Sequence, residues 1–178
     1  MLRVKDSNPA QRDAVAQLCP ACGMCCNGVL FGDVELQARD DARRLATLGM
    51  ELFPKGRRQC FNQPCACFDG KWCRIYAERP NRCRTFECRL LQRVQAGKIT
   101  SDAALRAIAE ARRCAGRVLD LVRQLGHADE QTPLNRRYAA IMSEPLDLAS
   151  DDDETAERRS ELMLAVHKLT RILEREFL

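Results

Sequence analysis

The chain changes character near its middle. From residue 99 onward apolar residues recur at three- and four-residue intervals, whereas before it they are scattered among Cys, Pro and Gly. In the second half Leu105, Ile108, Ala115, Val118, Leu119 and Val122 fall on one helical face. Thr100-Ser101-Asp102 supplies a cap for that helix, which is predicted to run to about Leu125. Thr132-Pro133 predicts a shorter helix through Ile141 and Met142, closed by Pro145. Leu162, Val166, Leu169, Leu173 and Phe177 form the stripe of a last helix over about 155–177. The acidic run Ser150-Asp151-Asp152-Asp153-Glu154 before it reads as a linker, or as favourable charge at a helix N-terminus.

The first half is patterned more weakly. Asn8-Pro9 combines an N-cap with Pro at the first helical position, predicting a short helix to about Leu18. Val29-Leu30-Phe31, with Val34 and Leu36 alternating beyond it, predicts a strand or extended segment. Asp40 to Thr47 predicts a helix with Ala42, Leu45, Ala46 and Leu48 inward, stopped at Gly49. Residues 53–72 read as loop, from Pro54, Gly56, Pro64 and Gly70. Arg79-Pro80 predicts one helix from about Asn81 to Ala96, ended by Gly97. The fold class expected is mainly α with irregular cysteine-rich metal-binding loops, and a small helical bundle in the C-terminal half.

Charge narrows the class. With a net charge near +4 and 5% aromatic residues, the chain gives no argument for nucleic acid on composition alone. Arg3, Lys5, Asp6, Arg12 and Asp13 leave no apolar stretch for an export signal at the N-terminus. The uncharged run between Asp13 and Asp33 has about the length of a membrane span. Its four Cys, three Gly, one Pro, Gln and Asn exclude a lipid-facing helix, so no membrane association is expected. The expected location is cytoplasmic, where thiols stay reduced, and eleven cysteines do not suit a fully paired disulfide framework.

Ten of the eleven cysteines lie before residue 99. Four stand in the eight residues Cys19-Pro20-Ala21-Cys22-Gly23-Met24-Cys25-Cys26. Thiolate sulfur is a soft anionic ligand suited to zinc, iron–sulfur clusters and Cu(I). Cys19-Pro20-Ala21-Cys22-Gly23 has the form of a zinc knuckle. Cys19, Cys22 and Cys25 also make the spacing of bacterial four-iron clusters, whose fourth ligand can be remote. Side chains of the adjacent Cys25 and Cys26 diverge, so the two thiols suit different metals, or only one of them is a ligand. Cys60 is evenly balanced between ligand and buried residue; Cys114, on a helix, reads as core. No catalytic residue is singled out.

The downstream group adds Cys67, then Cys73-Arg74-Ile75-Tyr76, Arg79-Pro80 and Cys83-Arg84-Thr85-Phe86. Together with Cys19 to Cys26, over about residues 19–90, it resembles the YkgJ-like CxxCxxCC cysteine-cluster family, a zinc- or iron-chelating domain. The resemblance implies metal binding through Cys19, Cys22, Cys25, Cys26, Cys67, Cys73 and Cys83; Cys60 and Cys65 depart from the family pattern, and Cys65 and Cys88 are added as candidate ligands from the downstream cysteine group. Residues 1–98 are then the cysteine-cluster zinc/iron-chelating domain and residues 99–178 a helical extension packed on it. The cofactor implied is Zn(2+) or iron as an Fe–S cluster. The all-sulfur ligand set speaks for Fe–S, and the knuckle and the surplus of cysteines speak for zinc. A related cysteine-rich region occurs in flagellin lysine methylases, which keeps open an iron–sulfur enzyme or subunit in protein modification. A third alternative is a helical interaction protein with structural zinc, binding a protein partner through the C-terminal helices.

Three smaller expectations follow. Tyr76 and Phe86 are core residues shielding the site, and Arg79 holds carbonyls near Pro80. The excess of basic residues over 55–93 compensates thiolate charge rather than binding nucleic acid, because aromatic residues for base stacking are few. His127 and His167, on helices far along the chain, are not counted as ligands.

Overall fold

The computed structural model describes residues 9–145 and 153–178. It is mainly helical, with a small antiparallel sheet and long cysteine-bearing turns. Helix α1 (Pro9–Cys22) leads to strand β1 (Asp33–Glu35), helix α2 (Ala42–Thr47) and the hairpin of β2 (Leu52–Lys55) and β3 (Arg58–Asn62). A short 3-10 turn (Tyr76–Glu78) precedes α3 (Asn81–Thr85) and α4 (Arg89–Gln95). The long α5 (Ser101–Gln124), α6 (Leu134–Ser143) and α7 (Asp153–Glu176) follow. No helix among the described residues is long and apolar enough to cross a membrane.

Two apolar clusters organise the packing. The larger joins α5, α6 and α7 to α1 and α4, with Ala14, Leu18, Leu90, Leu91, Ile108, Val118, Leu121, Leu162, Leu169 and Phe177 inside. Thr100 caps α5 as expected, its hydroxyl accepting from the Ala103 N–H at 3.2 Å. Of the predicted α7 stripe, Leu162, Leu169, Leu173 and Phe177 are buried and Val166 packs against the same core from its edge. The smaller cluster is Leu45, Met50, Phe61, Cys67 and Ile75, beneath the sheet and the turns. An Arg44–Glu78 ion pair and the Asn81 N–H donated to Asp40 at 2.7 Å tie α2 to the segment before α3.

Several predicted boundaries moved, each for a local reason. α1 continues past Leu18 to Cys22, because Pro20 falls near its end and Gly23, at φ +67°, makes the stop. Asn8, its expected cap, lies outside the described residues, as do Ser150, Asp151 and Asp152 of the acidic run, whose Asp153 and Glu154 open α7. Val29 and Leu30 are bends, Phe31 is irregular, and the strand begins at Asp33. The stretch read as loop over 53–72 contains β2 and β3, joined by a turn at Gly56, φ +63°. Pro54 suggested loop, but the strand order β1-β3-β2 puts β2 at an edge, where a missing N–H is tolerated. The helix expected over 81–96 is two helices, broken where Phe86 takes an extended backbone (φ −73°, ψ 122°) and Cys88 caps α4. Ala46 is exposed rather than inward. Gly49 and Gly97 end their helices at positive φ as expected.

Phe177 closes the bundle where α7 meets α4; its carbonyl accepts from the Arg89 N–H at 3.1 Å. Phe177→Ala is expected to cost about 3–5 kcal/mol, the range for emptying a buried aromatic site. Leu164→Ala, at a position 68% exposed, should stay within about 0.5 kcal/mol of wild type. Chemical denaturation of the two variants checks the contrast.

Candidate metal centre

Three separate pieces of chain bring thiols to one end of the helical bundle. The last turn of α1 carries Cys19 and Cys22, three residues apart and so on one helix face. Gly23 then turns the chain, its N–H bonding the Cys19 carbonyl at 3.0 Å, and its own carbonyl accepts from Cys26 and Asn27. Cys25 and Cys26 therefore sit on a second tight turn. Gly23 is required twice over: by its positive φ, and because a Cβ there would stand 3.0 Å from the Phe68 ring. At Gly28, φ +79°, a Cβ would meet Pro64 at 3.1 Å. These two close approaches let the first cysteine run lie against residues 63–68, and the Cys65 N–H donates to the Cys26 carbonyl at 2.8 Å.

The second piece is the turn from Cys65 to Cys73, closed by an isolated bridge between Phe68 and Cys73 and by the Arg74 N–H on the Cys67 carbonyl at 2.9 Å. Asp69 accepts from the N–H groups of Lys71 and Trp72, holding the tip. The third piece is α3 with Cys83 and, past the helix break, Cys88 at the start of α4. All eleven cysteines are free thiols.

The thiols feel one another. Cys19 is pushed up to about 11, first by burial of the sulfur and then by the charge of Cys88, although the residue as a whole is exposed. Cys22 rises to about 12, chiefly by burial and then through Cys88 and Cys19, against a backbone N–H of Met24 that favours thiolate. Cys25 is raised furthest, by burial and then by Cys22, Cys26, Cys88 and Cys19. Cys26 is pushed up to about 11, by burial and then mainly by Cys73. Cys65 and Cys83 each rise to about 12, by burial and then by thiols that include Cys26 and Cys73. Cys73 and Cys88 are raised by burial, with backbone N–H groups pulling the other way.

Arginine offsets part of this. Arg79 lowers Cys19, Cys26, Cys73 and Cys83, so one guanidinium serves thiols from all three pieces. Its Nε donates to the Tyr76 carbonyl at 3.0 Å and its guanidinium lies 3.6 Å over the Tyr76 ring. It holds a carbonyl near Pro80 as expected, and supplies compensating charge as well. Sequence reasoning missed Arg112 of α5, which donates to the Ala21 carbonyl at 2.6 Å and lowers Cys22. Nothing in the local pattern marks it, because it reaches the site from ninety-one residues away along the chain.

The remaining cysteines differ. Cys67 is fully buried, and its Sγ donates to the Leu48 carbonyl at 3.6 Å. Cys60 is buried in β3 opposite Phe53 and Glu35, and the charges acting on it are those of Asp33, Lys55, Glu35 and Arg58 rather than other thiols. Cys114 lies in the helical core. Tyr76, expected in the core, is 51% exposed, because the 3-10 turn points it outward beneath Arg79. Phe86 is half-buried and packs edge-on against Phe31 at 5.1 Å between centroids. His127 stands after the end of α5 rather than on a helix, with Nε2 3.3 Å from Glu144.

Among the described residues no three Cys, His, Asp or Glu side chains are already arranged around a common metal position. The donors are gathered but not closed. Their chemistry is that of a soft-metal site: sulfur only, shielded, with cations at the edge.

The family comparison agrees with that chemistry. A profile named CxxCxxCC, described as "Putative zinc- or iron-chelating domain", matches residues 18–114, more than half of the chain. The chain belongs to the CxxCxxCC family. The match runs beyond the 19–90 read from motifs and takes in Cys114 and the first half of α5. No curated protein and no solved structure matches. For a CxxCxxCC protein, burial of so many thiols has a thermodynamic consequence. Folded-state values near 11–12 against an ordinary 9.0 mean that the fold retains protons which the unfolded chain loses. That stability is complete below about pH 9 and falls as pH rises through the folded values. The metal-free reduced protein is therefore expected to denature at lower urea at about pH 10 than at about pH 8. The metal-loaded protein, whose ligands have already lost their protons, should show a smaller change.

Proposed function

We propose that this chain binds zinc or iron through cysteine thiolates, with Cys19, Cys22, Cys25, Cys26, Cys65, Cys67, Cys73, Cys83 and Cys88 as the donor pool. Residues 1–98 form the chelating domain, and residues 99–178 are the helical extension that supports it. The observation that carries this reading is the convergence of cysteine-bearing segments: the Cys65 N–H donates to the Cys26 carbonyl at 2.8 Å, Cys65, Cys73 and Cys83 pack on one apolar cluster, and α1 packs on α4 next to Cys88. Three chain segments do not converge on sulfur without a use for it, since clustered reduced thiols are reactive. Free thiols throughout fit a reducing, cytoplasmic setting.

One observation favours iron–sulfur ligation for part of the pool. Cys19, Cys22 and Cys25 keep the four-iron spacing, and the fold brings the remote Cys88 to act on all three. Such a cluster would supply electron transfer or a role in protein modification; zinc held by four thiolates would be structural.

Anaerobic purification, with iron, acid-labile sulfide and zinc quantified on one sample, tests both readings. Iron with matching sulfide and visible colour supports the cluster. Colourless protein with stoichiometric zinc and no sulfide overturns it and leaves chelation standing. Protein with neither metal, unable to take up either after reduction, overturns chelation.

Ligand binding should also be folding energy for the cysteine-bearing turns, which have only a small apolar cluster of their own. A strong chelator is expected to raise hydrogen exchange over 19–90 well before it affects α5 and α7. Equal protection of that segment with and without metal would contradict the dependence.

A further inference from the structure

Within the donor pool, the apolar cluster that a cysteine packs against separates six of the nine. Cys22 and Cys88 pack against the helical core, and Cys65, Cys73 and Cys83 pack against the smaller cluster beneath the sheet, of which Cys67 is a buried member. The backbone divides the others. Cys19 shares the last turn of α1 with Cys22, and α1 packs directly on α4, whose N-cap position is Cys88. Cys26 is bonded through its carbonyl to the Cys65 N–H. Cys25 and Cys26 follow one another on the tight turn after Gly23, whose carbonyl accepts from the Cys26 N–H at 2.9 Å.

We propose that the centre is two separate four-thiolate metal sites that part between Cys25 and Cys26. The first takes Cys19, Cys22, Cys25 and Cys88 against the helical core, and the second takes Cys26, Cys65, Cys73 and Cys83 against the sheet side. Cys67 stands outside both. The proposal rests on the chelation reading above and gives it a stoichiometry and a ligand assignment.

Cys88 is the first thiol to act on Cys19 and Cys22 and acts on Cys25 after Cys22 and Cys26, while Cys26 is affected first by Cys73, Cys83 first by Cys26, and Cys65 and Cys73 first by Cys67. Weaker effects of Cys19 and Cys22 on Cys26 show that the two sets are neighbours. Arg79 acts on Cys19 of the first set and on Cys26, Cys73 and Cys83 of the second, as a cation between two anionic centres would. Four thiolates around a divalent zinc leave two negative charges on each site, so two adjacent sites need such a cation. Cys67 is the ninth thiol, and its Sγ is already committed to the Leu48 carbonyl. Binding at either site replaces the thiol protons with metal and releases them to solvent, so no oxidant or reductant is involved.

The test uses the full chain, stripped of metal and kept reduced, and titrated with zinc alone. Native mass spectrometry is expected to show two zinc ions per chain in wild type and in Cys114→Ser. Cys88→Ala and Cys83→Ala should each keep one, and the double variant none. X-ray absorption of the zinc-loaded wild type needs no variant. It should show sulfur neighbours only and no zinc–zinc scattering. One zinc per wild-type chain, zinc–zinc scattering from a shared cluster, or loss of both metals in a single variant of unchanged helical content overturns the two-site assignment while chelation stands. Wild type that takes up no zinc overturns chelation itself.

Discussion

Thiolates gathered in a shielded space repel one another, and a cation is the only thing that makes the gathering favourable. Two unit charges about 4 Å apart interact by about 4 kcal/mol at an effective dielectric near 20. That is equivalent to roughly three pKa units for each close pair, before any cost of desolvation. The upward shifts of Cys19, Cys22, Cys26, Cys65 and Cys83 come first from burial of the sulfurs and then from neighbouring thiols, and the metal-free chain keeps its protons instead of its charges. A divalent ion reverses the balance by replacing protons that the thiols hold at neutral pH with a charge that attracts all of them. Arg79 and Arg112 do part of the same work, but a guanidinium at the edge cannot satisfy four sulfurs.

The two halves of the chain meet this constraint unequally. Cys19, Cys22 and Cys88 ride on α1 and α4, which are packed into the main core by Leu18, Leu90 and Leu91. The far end of α7 holds α4 in place: Arg89 bonds the carbonyls of Glu174 and Phe177, and Arg93 pairs with Glu176 at 2.7 Å. Those three thiols are positioned by apolar packing that needs no metal. Cys65, Cys73 and Cys83 rest on turns and on the short α3, over a cluster of five buried residues. Their arrangement has less to hold it. Helices α5 and α7 belong to the same packed core as α1, which carries Cys19 and Cys22, and α4, which leads from Cys88.

Legibility followed the range of the forces involved. Helices α5 and α7 were readable because a long amphipathic stripe and the Thr100 cap are local signals. The β2–β3 hairpin was not, since Pro54 and Gly56 speak for loop until the edge position of β2 is known. The break at Phe86 could not be seen either; Leu90, Leu91 and Val94 are spaced helically, and the ring contact with Phe31 that accompanies the break is a tertiary fact. The cysteine constellation was legible as a set of ligand types. Partnership was not, because Cys88 meets Cys19 only through the packing of α4 on α1. Arg112 was invisible for the same reason.

The donor set also limits the chemistry available. A tetrahedral zinc with four thiolates has no open position for water or substrate, so it holds structure and does not act as a Lewis acid. An iron–sulfur centre held by the same four ligands can still pass electrons, and its potential depends on net charge and on hydrogen bonds to sulfur. Here those dependences are already asymmetric. Backbone N–H groups of Leu91 and Leu90 favour thiolate at Cys88, that of Met24 at Cys22 and that of Cys67 at Cys65, whereas charge from Arg79 is shared by both sides. Removing the Arg79 charge while keeping its length, as in Arg79→Gln, would act on Cys19, Cys26, Cys73 and Cys83 together and leave Cys22 under the control of Arg112. Arg79 is thus the residue through which a change at one group of thiols would be felt at the other.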